Sequence, residues 1–90
     1  MSHEQSEESA RIATEINEIV VGILGLAAGT ALDVEKPMYN IGLDSLLGMD
    51  LLAALDQKYE ISLKQSAIVY HPTIQLLAAH VAEVRNQKAT

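Results

Sequence analysis

One serine carries most of the chemical potential of this 90-residue chain. The run Gly42-Leu43-Asp44-Ser45-Leu46 places Ser45 at the exit of a loop and the start of an apolar-periodic helix. A hydroxyl at that position points outward, beside the unpaired backbone N–H groups of the first helical turn and the positive end of the helix dipole. Such a place tolerates an anionic phosphate, so a phosphodiester formed on the hydroxyl is held there favourably.

Other chemistries fit less well. A nucleophilic serine needs a base and an oxyanion site. The local pattern is not G-x-S-x-G, because Leu43 stands where a glycine is required. His3 lies in a polar lead-in, His71 in a tight His-Pro turn, and His80 beside the core arc of the last helix, where it is expected on the rim. No catalytic residue is assigned. Metal binding lacks its ligands: cysteine is absent, the histidines are isolated, and Asp44, Asp50 and Asp56 lie six apart, which spreads them around a helix. The phosphate-cradling G-x-x-x-x-G-K motif is missing. Gly22, Gly25 and Gly29 follow no strand and are read as close helix packing or fraying. A non-catalytic covalent carrier asks only for an exposed hydroxyl at a stable helix end, an acidic flank and a face that partner enzymes can read.

The elements that must position Ser45 follow from hydrophobic spacing. Ile12, Ile16, Ile19, Val20, Ile23 and Leu26 share one arc, predicting a first helix over 9–26 with Ser9 as its cap and Gly29 as its stop. Residues 27–44 form a long connection through Pro37, too apolar to be a solvated linker, so it is expected to pack on the helices. A second helix over 45–59 takes Asp44 as N-cap. Gly48, Leu51, Leu52, Leu55 and Tyr59 fall on its core side. Leu46, Met49 and Ala53 fall opposite, bordered by Asp50, Asp56 and Gln57, and form an apolar strip suited to docking. One or two helical turns fit between residues 62 and 69, with Ser62 as cap. The last helix starts at Thr73 after His71-Pro72, buries Ile74, Leu77, Ala78, Val81 and Val84, and frays from Asn86. The expected fold is all-α: a small antiparallel four-helix bundle, three main helices plus one short one, with a long loop between the first and second. Residues 1–8 read as a disordered lead-in or linker, 9–86 as the domain and 87–90 as a frayed tail.

Composition sets the bounds. A chain this short buries only about 60% of its unfolded surface, leaving little room for a deep catalytic cavity. With no Trp, Phe or Cys and three Tyr, its core must be aliphatic. The net charge of −6, from 12 acidic and 6 basic residues, disfavours nucleic acid and favours partners with basic patches. The longest apolar run, 19–29, contains three glycines and falls short of the roughly 20 residues that span a bilayer, so no membrane association is expected. It also lacks the basic flank of a secretion signal.

Gly42-Leu43-Asp44-Ser45-Leu46 resembles the attachment motif of acyl carrier proteins, and His71-Pro72-Thr73-Ile74 resembles the lead-in to their last helix. Tyr70-His71-Pro72-Thr73 and Pro37-Met38-Tyr39-Asn40 are similar to carrier domains of modular polyketide synthases more than to the freestanding fatty-acid type. The resemblance covers residues 12–84. It implies that Ser45 carries 4′-phosphopantetheine through a phosphodiester, installed from coenzyme A by a phosphopantetheinyl transferase, with acyl groups held as thioesters. It also implies a non-catalytic, monomeric, cytoplasmic domain whose partners are a ketosynthase, an acyltransferase and other synthase domains. Leu46, Met49, Asp50 and Ala53 match the partner-contact side of the family's second helix, and Asp44 matches the acid before the modified serine. Leu47 and Gly48 stand where many members place polar or acidic residues, which predicts a more apolar and less electrostatic docking. No Trp follows the motif, unlike carriers used for β-branching. The alternatives are a peptidyl carrier domain of a nonribosomal peptide synthetase, from which Asp44 leans away, and an unmodified helical interaction module using Leu46, Met49 and Ala53. A small hydrolase using Ser45 is a third.

Overall fold

A computed structural model describes residues 7–89, with side chains placed through Gln87. Most of the expected lead-in, including His3, lies outside the described residues. Four helices follow in order: α1 (Glu7–Leu24), α2 (Ser45–Tyr59), α3 (Ala67–Tyr70) and α4 (Ile74–Ala89), with a 3₁₀ turn at Met38–Ile41. Among the described residues there is no strand, only an isolated antiparallel bridge between Pro37 and Thr73. The all-α expectation holds.

α1 begins earlier than residue 9. Glu7 and Glu8 belong to its first turn, where carboxylates meet the positive helix end. Ser9 is therefore not a cap but a buried residue inside that turn. The helix stops at Gly25, not Gly29. Gly25 takes a φ of 72°, and the Leu26 N–H donates to the Val21 carbonyl at 2.9 Å. This left-handed closure favours a residue without a Cβ, and it turns Leu26 out of the predicted arc into solvent. A Cβ at Gly22, Gly25 or Gly29 would meet nothing within 4 Å, so none of the three serves close packing.

The long connection packs as expected. Met38 and Leu43 are fully buried, and Leu32, Val34 and Ile41 are partly so. Its backbone is tied on both sides. The Asn17 side chain on α1 donates to the Thr30 carbonyl and accepts from the Leu32 N–H, both at 2.8 Å. Toward α4, the Met38 N–H donates to the Pro72 carbonyl at 2.8 Å, and the Gln75 N–H donates to the Val34 carbonyl at 3.0 Å. A polar residue on a helix reads as solvated from its type alone, so this clamp by Asn17 is visible only in the fold.

α2 starts and ends where the spacing predicts, and Gly48, Leu51, Leu52 and Leu55 are its buried residues. Tyr59 is only half-buried; its hydroxyl donates to Glu15, and the Arg85 guanidinium lies 5.1 Å from its ring centre. The short helix comes later than expected. Its N-cap residue is Ser66, without a side-chain cap bond, and Ser62 is exposed and caps nothing. What organises the preceding segment is Asp56, whose Oδ1 accepts from the Leu63 N–H at 2.8 Å. Thr73 caps α4 by accepting from the Leu76 N–H at 3.1 Å. α4 runs past Asn86 to Ala89, and Ala82 joins its buried face while Val84 is only half-buried. Near its end Arg85 pairs with Glu8 at 3.1 Å, so α4 ends beside the start of α1. Likewise Tyr59 at the end of α2 meets Glu15 midway along α1, while Gly42, just before α2, lies against Leu24 at the end of α1. Both helices thus run antiparallel to α1, around Ile16, Val20, Leu51, Leu55, Leu77 and Val81, each fully buried.

Candidate functional site

Three consecutive residues present Ser45. Gly42 closes the 3₁₀ turn with a φ of 106°, in the left-handed region. Leu43 is buried and donates its N–H to the Met38 carbonyl at 3.0 Å, which pins the chain just before α2. Asp44 is extended (φ −81°, ψ −177°), and its Oδ1 accepts from the Leu47 N–H at 2.9 Å. Its carbonyl accepts from the Gly48 N–H at 2.8 Å, which begins the helical ladder. Ser45 follows as the first helical residue and is exposed. Helix geometry leaves the N–H groups of the first turn without intrahelical partners, so the hydroxyl stands in a region of positive potential.

The apolar strip lies beside it. Leu46 is 72% exposed and Met49 48%, and Asp50 and Ala53 are exposed as well. Asp56 is half-buried, and its Oδ1 is engaged by the Leu63 N–H. Two further elements contribute residues that the sequence reading left out: Tyr39 on the 3₁₀ turn, and Val69 and Tyr70 on α3, which are 66% and 75% exposed. A single-turn helix has too few residues to phase a hydrophobic wheel, so only the large apolar types themselves could have signalled them. Between these elements lies a groove of about 180 Å³, lined by Ser45, Tyr39, Met49, Gln65 and Val69, with Gly48, Leu52 and Ile68 completing it.

The two described histidines lie apart from Ser45. His71 and His80 stack on each other, with ring centres 4.1 Å apart and planes 15° from parallel. They line a cavity of about 440 Å³ to which Ser45 does not contribute. Burial, with a smaller contribution from His80, holds the His71 imidazole below its ordinary value, and Glu83 opposes this. Another cavity, of about 730 Å³, lies between α1 and residues 26–34, also away from Ser45. Among the described residues no three His, Cys, Asp or Glu side chains gather as a metal site, and no helix is long and apolar enough to cross a membrane.

Comparison with known proteins matches residues 14–81 to the family described as "Phosphopantetheine attachment site". The chain is 36% identical over 73 residues to malformin synthetase mlfA of Aspergillus tubingensis, covering 81% of this chain and 1% of that protein. It is 30% identical over 77 residues to the spectinabilin polyketide synthase system protein NorC of Streptomyces orinoci, covering 86% of this chain and 3% of that protein. The chain therefore spans only a few hundredths of the length of these relatives. Among solved structures, the A1-type ACP domain from module 5 of MLSA1 superposes with a TM-score of 0.78 at 27% identity, over 87% of this chain and 78% of that one.

Proposed function

The chain belongs to the phosphopantetheine-attachment family, whose members carry a covalent 4′-phosphopantetheine group, and from that premise we propose that Ser45 is its attachment residue. The observation that carries this is the exposure of the Ser45 hydroxyl on the first turn of α2, with Asp44 capping the helix and an apolar strip alongside. The residues present suit the group. The first turn favours a phosphodiester's negative charge, and the groove beside Ser45 gives the proximal arm an apolar wall. When bound, the group supplies a terminal thiol on which acyl chains ride as thioesters.

The chain is a carrier domain. Its cargo, in this proposal, is polyketide or acyl, passed between synthase domains. The kinship with a polyketide synthase protein supports that cargo, and so does Asp44 before the serine. Asp44 holds the helix start, while Leu46, Met49, Asp50 and Ala53 form the docking face for a phosphopantetheinyl transferase, a ketosynthase, an acyltransferase and other synthase domains. The domain works as a non-catalytic, cytoplasmic monomer.

The test is intact-mass measurement after incubation with coenzyme A and a broad-specificity transferase. The serine oxygen displaces adenosine 3′,5′-bisphosphate from coenzyme A, so the chain gains one phosphopantetheinyl group. Ser45→Ala abolishes the gain. No gain in the wild type, or a gain that survives in the variant, overturns the assignment.

A further inference from the structure

α3 is a single turn, and a pair of imidazoles ties its end to α4. The His71 N–H closes α3 by donating to the Ala67 carbonyl at 2.8 Å, while its ring stacks on His80 of α4 at 4.1 Å. On the far side of His71 the chain is anchored, because the Pro72 carbonyl accepts from Met38 and Thr73 caps α4. On the near side, Ile68 and Val69 of α3 wall the groove beside Ser45, with Ile68 packed where Gly48 leaves room. His71 thus joins a fixed helix start to the single-turn wall of the groove beside Ser45.

Two stacked imidazoles repel when both are cationic. The charges around them do little to offset that. Glu83, also on α4, has its carboxylate 4.0 Å from His80 Nδ1 and is the acidic partner of the pair. From the segment before α3, Lys64 lines the same cavity, and from α3 itself the Tyr70 phenol does; no carboxylate lines it among the described residues. One acid accommodates one added proton, not two.

We propose that the His71–His80 stack is a pH-sensitive latch on α3, closed while His71 is neutral and released when it takes a proton, and that release loosens the α3 wall of the groove beside Ser45. The sign follows from linkage. In the closed form, burial first and His80 second keep His71 from accepting a proton at its ordinary value of 6.5, with Glu83 opposing. In the released form the ring is solvated and accepts it there. Acid therefore draws the equilibrium toward release as pH falls below that value, and the closed form is fully favoured above it. The effect on cargo or partner docking rests on the Ser45 assignment above; the latch itself does not.

NMR titration of the unmodified protein tests it. The Ile68 and Val69 methyl signals are expected to shift on acidification with the same midpoint as the His71 ring, below 6.5, while the Leu51 methyls of the core stay in place. In His71→Phe, which keeps a ring and loses the proton site, the α3 methyls are expected not to titrate. His71→Gln gives the same result if the larger ring fails to pack. Static α3 methyls in the wild type overturn the latch. So do methyls that still titrate in both variants, or a transition shared by Leu51, which would be global unfolding. Because no arm is involved, failure here is distinct from failure of the Ser45 mass assay.

Discussion

Adding one methyl at Gly48 separates what stabilises α2 from what leaves room beside Ser45. Glycine within a helix costs about 0.5–1 kcal/mol relative to alanine, because it loses more backbone freedom on folding. A Cβ built at Gly48 would sit 3.7 Å from Ile68 Cγ1 and 3.9 Å from its Cδ1, ordinary van der Waals contact, so no clash offsets the entropic gain. Gly48→Ala is therefore expected to stabilise the domain by about 0.5–1 kcal/mol. For a domain of this size that raises Tm by about 2–8 °C. Thermal unfolding followed by circular dichroism reads it directly. A larger residue reverses the sign: Gly48→Leu must displace Ile68 and with it α3, at about 1–3 kcal/mol. A fall in Tm for Gly48→Ala, or equal melts for the two variants, would refute the described spacing between α2 and α3.

Asp44→Ala removes the acceptor for the Leu47 N–H and should cost about 0.5–2 kcal/mol by thermal melt, with slower phosphopantetheinylation by mass spectrometry; no change in either contradicts the capping role. Met49→Glu should leave the melt unchanged and weaken acyl transfer to or from a synthase partner, since Met49 is half-exposed; a collapsed melt would mean it is core. Asn17→Ala breaks two part-buried 2.8 Å hydrogen bonds, at about 0.5–1.5 kcal/mol each, so the urea midpoint should fall by the equivalent of about 1–3 kcal/mol. An unaltered midpoint would show that residues 30–32 are held by other contacts.

The parts of this fold that were legible in the sequence are those where one element's own residues decide. α2 is the clearest case: Asp44, the exposed pair Leu46 and Met49, and the buried Leu51 and Leu55 all follow from cap chemistry and a 3.6-residue period. α1 starts at Glu7 and not at Ser9, and it closes at Gly25 and not at the expected Gly29, because the stop is set by the backbone closure from Leu26 to Val21, which no side-chain spacing signals. Ser62 reads as a cap from its residue type, yet Asp56 fixes the segment between α2 and α3 from seven residues away, and the short helix starts only after Ser66. The His71–His80 stack and the Asn17 clamp join residues distant in sequence, and no local pattern encodes either. Of the candidate site, the serine and its helix face were readable; the contribution of Tyr39, Val69 and Tyr70 arises only when three elements meet.

The clamp by Asn17 divides the long connection into two lengths with opposite tolerance for change. Residues 27–29 precede the clamped carbonyl of Thr30 and are exposed, so an extra segment spliced between Ala28 and Gly29 would bulge outward and leave the downstream backbone where it is. From Thr30 to Met38 the backbone is tied at Thr30 and Leu32 to α1, at Val34 to α4 and at Met38 to Pro72, and one added residue there would carry Ser45 out of register with the helix that presents it. A reporter peptide or fluorophore tag thus has a natural port at 28–29, far along the chain from Ser45 and the exposed Leu46 and Met49.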